Sequence, residues 1–159
     1  MPKPVPDGYQ TITANLTVSG AAAAIEFYKT AFGAVEVMRF AGPGGGIVHA
    51  EIRIGDSPMM LSDEMPGMGS RSPKSLGAST GSLYLYVDNV DSWYERAIAA
   101  GATARMPVMN MFWGDRMCHL IDPFGHEWAL ATHIEDVSPQ EMERRGQEFF
   151  AKMAAGHGA

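Results

Sequence analysis

Apolar and polar residues alternate with a period of two at two places in the chain, and a helical stripe follows each. Ile12, Ala14, Leu16 and Val18 alternate with Thr13, Asn15 and Thr17, while Leu83, Leu85 and Val87 alternate with Ser82, Tyr84 and Tyr86. This pattern predicts strands with one face in a core and the other face free. After the first strand, Ala24, Ile25, Tyr28 and Phe32 share one side of a helix over Ala21–Phe32, and Gly33 suits a left-handed helix exit. After the second, Val90, Tyr94, Ala97 and Ile98 precede Gly101 in the same way. Three further strands are expected in each copy. They are Val35–Phe40, Ile47–Ile54 and Pro58–Ser62 in the first, and Arg105–Met111, Arg116–Ile121 and Glu127–Thr132 in the second. The two copies lie about 70 residues apart, so the chain is a βαβββ unit repeated.

Fold class is therefore α+β, with paired βαβββ modules and an added C-terminal helix. Residues 1–137 are expected to form a single domain, with module one over 9–64, a linker over 65–80 rich in Gly, Ser, Pro and Met, and module two over 81–133. Residues 138–159 form the C-terminal helix and tail. There Ser138-Pro139-Gln140-Glu141 has the form of a capping box with a first-turn proline, and Met142, Phe149, Phe150 and Met153 supply an apolar stripe. That stripe needs cover, either from its own domain or from a second subunit.

The 159 residues carry Lys+Arg 12 against Asp+Glu 18, a formal charge of −6, which disfavours general nucleic-acid binding. No apolar run reaches the length of a membrane span, and the start of the chain lacks a signal-peptide pattern, so a cytoplasmic protein is expected. The single cysteine, Cys118, has no partner for a disulfide or a CxxC site and is read as a small buried residue rather than a nucleophile.

Ala24-Ile25-Glu26-Phe27-Tyr28 with Phe32-Gly33-Ala34 in the first module, and Asp122-Pro123-Phe124-Gly125-His126 in the second, resemble the vicinal oxygen chelate superfamily. That superfamily includes glyoxalase I, extradiol dioxygenases, and fosfomycin- and bleomycin-resistance proteins. The runs His49–Asp56, Met60–Glu64 and Trp113–Arg116 are most similar to its PhnB-like branch. The resemblance implies the glyoxalase/bleomycin resistance fold, in which each sheet curls into a half-open cup and two cups face each other around a pocket, often within a dimer. It also implies divalent-metal ligands on the concave faces of certain strands. Those positions fall here at Thr13, Met60, Ser82 and Ala129. A hydroxyl, a thioether and a methyl do not replace imidazole or carboxylate donors, so no metal is expected at the usual place. Nor is there a glycine-rich strand-to-helix loop suited to an adenosyl cofactor.

If the core faces are as stated, the opposite faces line the cup. They carry Thr13, Asn15, His49, Glu51 and Arg53 in module one, and Ser82, Tyr84, Tyr86, Met109, Met111, Trp113, Met117, His119 and Glu127 in module two. Tyr84 and Tyr86 suit stacking on a planar ligand or packing on a dimer partner. The methionines suit a compliant wall or simple gap filling. Arg116 either grips an anionic ligand group at the pocket rim or pairs with Asp115 to fix a turn. His49 and Glu51, two apart on one face, are either a cross-strand hydrogen-bonded pair or an acid–base couple. Joined by His119 or Glu127, they would form a metal site of non-standard make-up. His126 and His133 are read as structural or exposed, and His157 as part of a disordered tail. Two functions follow. One is a metal-free homodimeric small-molecule binder using Asn15, Tyr84, Tyr86, Met111, Trp113, Arg116, His119 and Glu127. The other is a glyoxalase-like lyase, isomerase or transferase using His49 and Glu51 or a shifted metal set.

Overall fold

In the computed structural model, which describes residues 1–156, module one runs β1 (Ala14–Val18), α1 (Ala21–Phe32), β2 (Val35–Ala41), β3 (Ile47–Ile54) and β4 (Ser57–Asp63). A short helix, α2 (Pro73–Leu76), lies in the connection. Module two repeats the order as β5 (Ser82–Tyr86), α3 (Val90–Ala100), β6 (Thr103–Asn110), β7 (Asp115–Ile121) and β8 (Glu127–His133). A last helix, α4 (Pro139–Gly156), ends the described chain. The sheets are four-stranded and equivalent, with orders β1-β4-β3-β2 and β5-β8-β7-β6, and in each the first strand runs parallel to the last. His157, read from sequence as part of a disordered tail, falls outside the described residues.

Local chemistry explains the helix ends. Gly33 at φ 65° and Gly101 at φ 116° take the left-handed exit that a side chain resists. Asn89 caps α3 by accepting from the Ser92 amide at 3.1 Å. The start of α1 has no side-chain cap of its own. Instead Asp63 Oδ1, at the end of β4, accepts from the Gly20 and Ala21 amides at 2.8 and 2.7 Å, which ties the helix to the strand paired with β1.

One core joins both modules. Ala24, Ile25, Tyr28 and Phe32 of α1 and Val90 and Ala97 of α3 pack with the helix-facing sides of both sheets: Ala50, Ile52 and Leu61 in one, Cys118, Leu120 and Leu130 in the other. Trp128 closes the seam, its ring 4.7 Å from Phe32 and 5.3 Å from Tyr28. Asp122 is buried at this seam and accepts from Tyr28 Oη (2.7 Å), Trp128 Nε1 (2.9 Å) and two backbone amides of its own turn. Because both helices and both inner faces are spent on this core, the concave faces are what each sheet has left over. Burial pushes the Cys118 thiol up to about 11, so it stays protonated at neutral pH, as a core residue should.

Two expectations need correction. Ile12 stands outside β1 and is almost fully exposed, since the strand starts at Ala14. Ile98 lies at the solvent side of the α3 stripe, while Val90 and Ala97 are buried. The connection over residues 65–80 carries a Met65–Ser70 bridge and α2, which the buried Ser72 caps.

The helix α4 covers the end of module two. Its Phe149 and Phe150 rings meet Phe112 at 5.5 and 6.1 Å, and Gly146 is buried under Phe112, where a Cβ would approach the ring to 3.2 Å. Only half of the expected capping box forms. Ser138 Oγ accepts from the Glu141 amide, but the Glu141 carboxylate turns to Arg144 and Arg145.

Candidate functional site: an aromatic wall held by one carboxylate

The concave face of module two carries a dense side-chain network. Asp115, at the head of β7, is only 2% exposed. Its Oδ2 accepts from Tyr84 Oη and Tyr86 Oη, both at 3.0 Å, and from Trp113 Nε1 at 3.2 Å. Its Oδ1 accepts from His133 Nδ1 at 2.8 Å, and His133 Nε2 in turn reaches Asp136 at 3.0 Å. Burial works against the Asp115 charge, but these donors outweigh it and hold the carboxyl below its usual value. The bonds to Asp136 and Asp115 raise His133. Burial and the bond to Asp115 raise the Tyr84 phenol, so it remains a donor.

The sheet register shows how the tyrosines reach so far. Tyr84 is paired with Ala129, and Tyr86 with Ala131, on β8, which separates β5 from β7. Methyl groups at Ala129 and Ala131 leave room for both phenols to extend across β8 to a carboxylate on β7. Met117, Ala129 and Ala131 form the floor, with Met106, Met111 and Trp113 packed against it. Tyr84, Tyr86, Phe112, Trp113 and Met142 of α4 line an open hollow of about 650 Å³ above it.

Module one offers a different face. His49 Nε2 stands 3.1 Å from Glu51 Oε1, and Tyr9, in the segment before β1, donates to Glu51 Oε2. The Tyr9 and His49 bonds lower the Glu51 carboxyl. Glu51, Tyr9, Thr13 and Met60 line a hollow of about 570 Å³ under residues 4–11. Arg53 is turned to the backbone of Gly8 and Asp56.

The hollow beside Tyr84, Tyr86 and Trp113 and the hollow beside Glu51 share no lining residue. Of the residues expected to bind ligand, Tyr84, Tyr86, Trp113 and Met111 come together. Asn15 and Glu127 instead flank a smaller hollow, about 420 Å³, where β1 and β5 meet the connection, and Glu127 is held by Arg105 at 2.6 Å. His119 lies on the floor side of β7, opposite Ala129. Arg116 must be moved. It alternates with Cys118 and Leu120 on the helix side of β7, and its guanidinium is engaged by Asp91 of α3 at 2.6 and 2.8 Å and by Asn110. It neither pairs with Asp115 nor reaches the rim.

The positions that the family resemblance marks for metal do not fit a divalent ion. Thr13 and Met60 share the module-one hollow, Ser82 begins β5, and Ala129 is fully buried beneath the aromatic wall. Among the described residues no group of three or more His, Cys, Asp or Glu side chains stands close enough to hold an ion. The shifted set is divided as well, with His49 and Glu51 on β3 and His119 and Glu127 on the other sheet.

Sequence reasoning missed Asp115, His133, Phe112 and Tyr9. Asp115 was legible by parity, since it falls on the same face as Met117 and His119 once β7 is started one residue earlier. Tyr9 precedes any periodic segment and gave no signal.

A family model for the glyoxalase/bleomycin resistance protein/dioxygenase superfamily matches residues 10–130. A relative from Mycobacterium bovis, the uncharacterized protein Mb0911c, is 40% identical over 135 residues, covering 83% of this chain and 89% of the relative. Among solved structures, TioX from Micromonospora sp. ML1 is similar with a TM-score of 0.62 at 23% identity, over 79% of this chain and 99% of TioX. The PhnB protein from Bacillus cereus is similar with a TM-score of 0.59 at 22% identity, over 77% and 99%. The repeated βαβββ order, the paired four-stranded sheets and a family match spanning both modules agree: this chain belongs to the glyoxalase/bleomycin resistance protein/dioxygenase superfamily.

Proposed function

We propose that this protein binds a small molecule without a metal, holding it against the concave face of module two, and that it does so as a homodimer. The observation that carries this reading is the Asp115 network. A buried carboxylate fixes Tyr84, Tyr86 and Trp113 in place before any ligand arrives, so little side-chain freedom remains to be lost on binding. The wall is aromatic and methionine-rich, as small-molecule pockets usually are. Members of the superfamily bind small molecules and often dimerise.

The dimer is supported by apolar surface that one chain leaves bare. Val35, Val37 and Phe40 on the edge strand β2 and Tyr86 on β5 are all more than half exposed. A second copy would cover them and close the open hollow. Light scattering tests the assembly, with twice the chain mass expected. Titration of an aromatic fragment set, with and without chelator, tests the binding: affinity is expected to survive chelation and to be lost in Tyr86→Ala. Affinity that requires an added divalent ion would reject the reading.

A second reading rests on Tyr9, Glu51 and His49, which form a hydrogen-bonded row beside a separate hollow. Such a row suits proton transfer in a lyase or isomerase. Turnover abolished by Glu51→Gln but retained in Tyr86→Ala would favour this reading over sequestration.

A further inference from the structure

We infer that the ligand group recognised by the aromatic wall is an organic cation, an alkylated ammonium in particular. The inference rests on the binding site proposed above and specifies its ligand class. Its basis is what the Asp115 network leaves uncommitted. The O–H groups of Tyr84 and Tyr86 and the N–H of Trp113 all donate to Asp115. Both ring nitrogens of His133 are engaged by Asp115 and Asp136. A ligand in the hollow therefore meets aromatic rings, phenol oxygens able to accept, and a thioether, but no free donor from these side chains.

An anionic or acceptor-rich ligand would leave its charge unpaired there, at a cost. A cation gains instead, because the faces of Trp, Tyr and Phe carry the negative lobe of the ring quadrupole. Four such rings, Tyr84, Tyr86, Phe112 and Trp113, stand around one hollow beside a carboxylate, and no Lys or Arg lines it. Among the described residues, His133 is the only lining group that could oppose a cation. Even when protonated it stands between two carboxylates, so the cluster of Asp115, His133 and Asp136 keeps a net negative charge. The chain's formal charge of −6 also favours the approach of a cation over that of an anion. A soft wall of aromatic rings with Met117 and Met142 suits methylated nitrogen, which needs apolar contact and offers no hydrogen bond of its own.

The test compares choline with its uncharged isostere, 3,3-dimethylbutan-1-ol, at matched ionic strength, and adds the neutral aromatic 2-naphthol as a third probe. Binding is followed through the Met142 methyl resonance in the full chain and in Tyr86→Ala. Choline is expected to bind about tenfold more tightly than the alcohol, and to lose that margin in Tyr86→Ala. Tyr86→Phe, which keeps the ring, is expected to retain it. If choline binds no better than the alcohol while 2-naphthol binds in a Tyr86-dependent way, the cation inference falls and the binding site stands. If none of the probes moves Met142, both fall.

Discussion

Tyr86 on β5 and Asp115 on β7 are joined by a 3.0 Å hydrogen bond although β8 runs between their strands. The bond crosses at Ala131, whose small side chain leaves the path open. Tyr84 does the same over Ala129, the position at which the family resemblance leads one to expect a metal ligand. One substitution thus accounts for two features. A methyl at Ala129 removes a donor for an ion and supplies the clearance that lets the aromatic wall form.

Truncating Tyr86 separates binding from folding. The ring is largely exposed and contributes one hydrogen bond, so Tyr86→Ala should cost no more than about 1 kcal/mol in urea denaturation. Ligand affinity should fall about tenfold or more in the same variant, measured by calorimetry. Asp115→Ala should behave differently. It strips the shared acceptor from four donors and should cost about 2–3 kcal/mol as well as binding.

Protonation tests the same network. His133 is raised above 6.5, first by Asp136 and then by Asp115, so its contribution to stability is complete below pH 6.5 and is lost as pH rises through the folded-state value. Asp115 is lowered below 3.8, so its contribution is present above that pH and is lost as pH falls through its folded-state value. An NMR titration should place the His133 midpoint above 6.5 and return it toward 6.5 in Asp136→Asn. A midpoint at or below 6.5 in the unmodified protein would contradict the arrangement.

Gly114 sets the turn that presents Phe112 and Trp113. Its φ is 99°, its carbonyl accepts from the Ile134 and Glu135 amides at 2.9 and 3.1 Å, and a Cβ there would overlap the Glu135 carbonyl oxygen. Gly114→Ala should therefore destabilise the protein by about 1–3 kcal/mol or more, measured as a lower denaturation midpoint, and should weaken binding through displacement of Trp113.

The seam between modules makes a prediction about stability alone. Asp122 accepts from Tyr28 and Trp128 at the centre of the joint core. Asp122→Ala strands those donors in a dry environment and should cost about 3–5 kcal/mol in denaturation, without altering the residues of the aromatic wall.

How far the sequence could be read depended on the kind of signal. Period-two alternation in β1 and β5, the helical stripes of α1 and α3 and the turn residues between the other strands are local properties of consecutive residues, and they located every strand to within a few residues. Tyr84, Tyr86 and Trp113 were assigned to the cup from parity in the same way. Parity fails where a strand boundary is uncertain. Starting β7 at Arg116 instead of Asp115 left the central carboxylate without a face and offered Arg116 to the rim, although that residue pairs with Asp91 across to α3. Tyr9 and Met142 enter their hollows from segments outside the repeat, and only tertiary packing brings them there.

The twelve methionines provide the most direct test of where this protein binds its ligand. With ¹³C-labelled methionine methyls, Met111, Met117 and Met142 report on the module-two face, and Met60 reports on the hollow that contains Tyr9 and Glu51. Titration with small aromatic and cationic fragments should shift Met111, Met117 and Met142 together and leave Met60 in place. Shifts confined to Met60, or no specific shift among the four, would contradict a binding site built on Tyr84, Tyr86, Trp113 and Asp115.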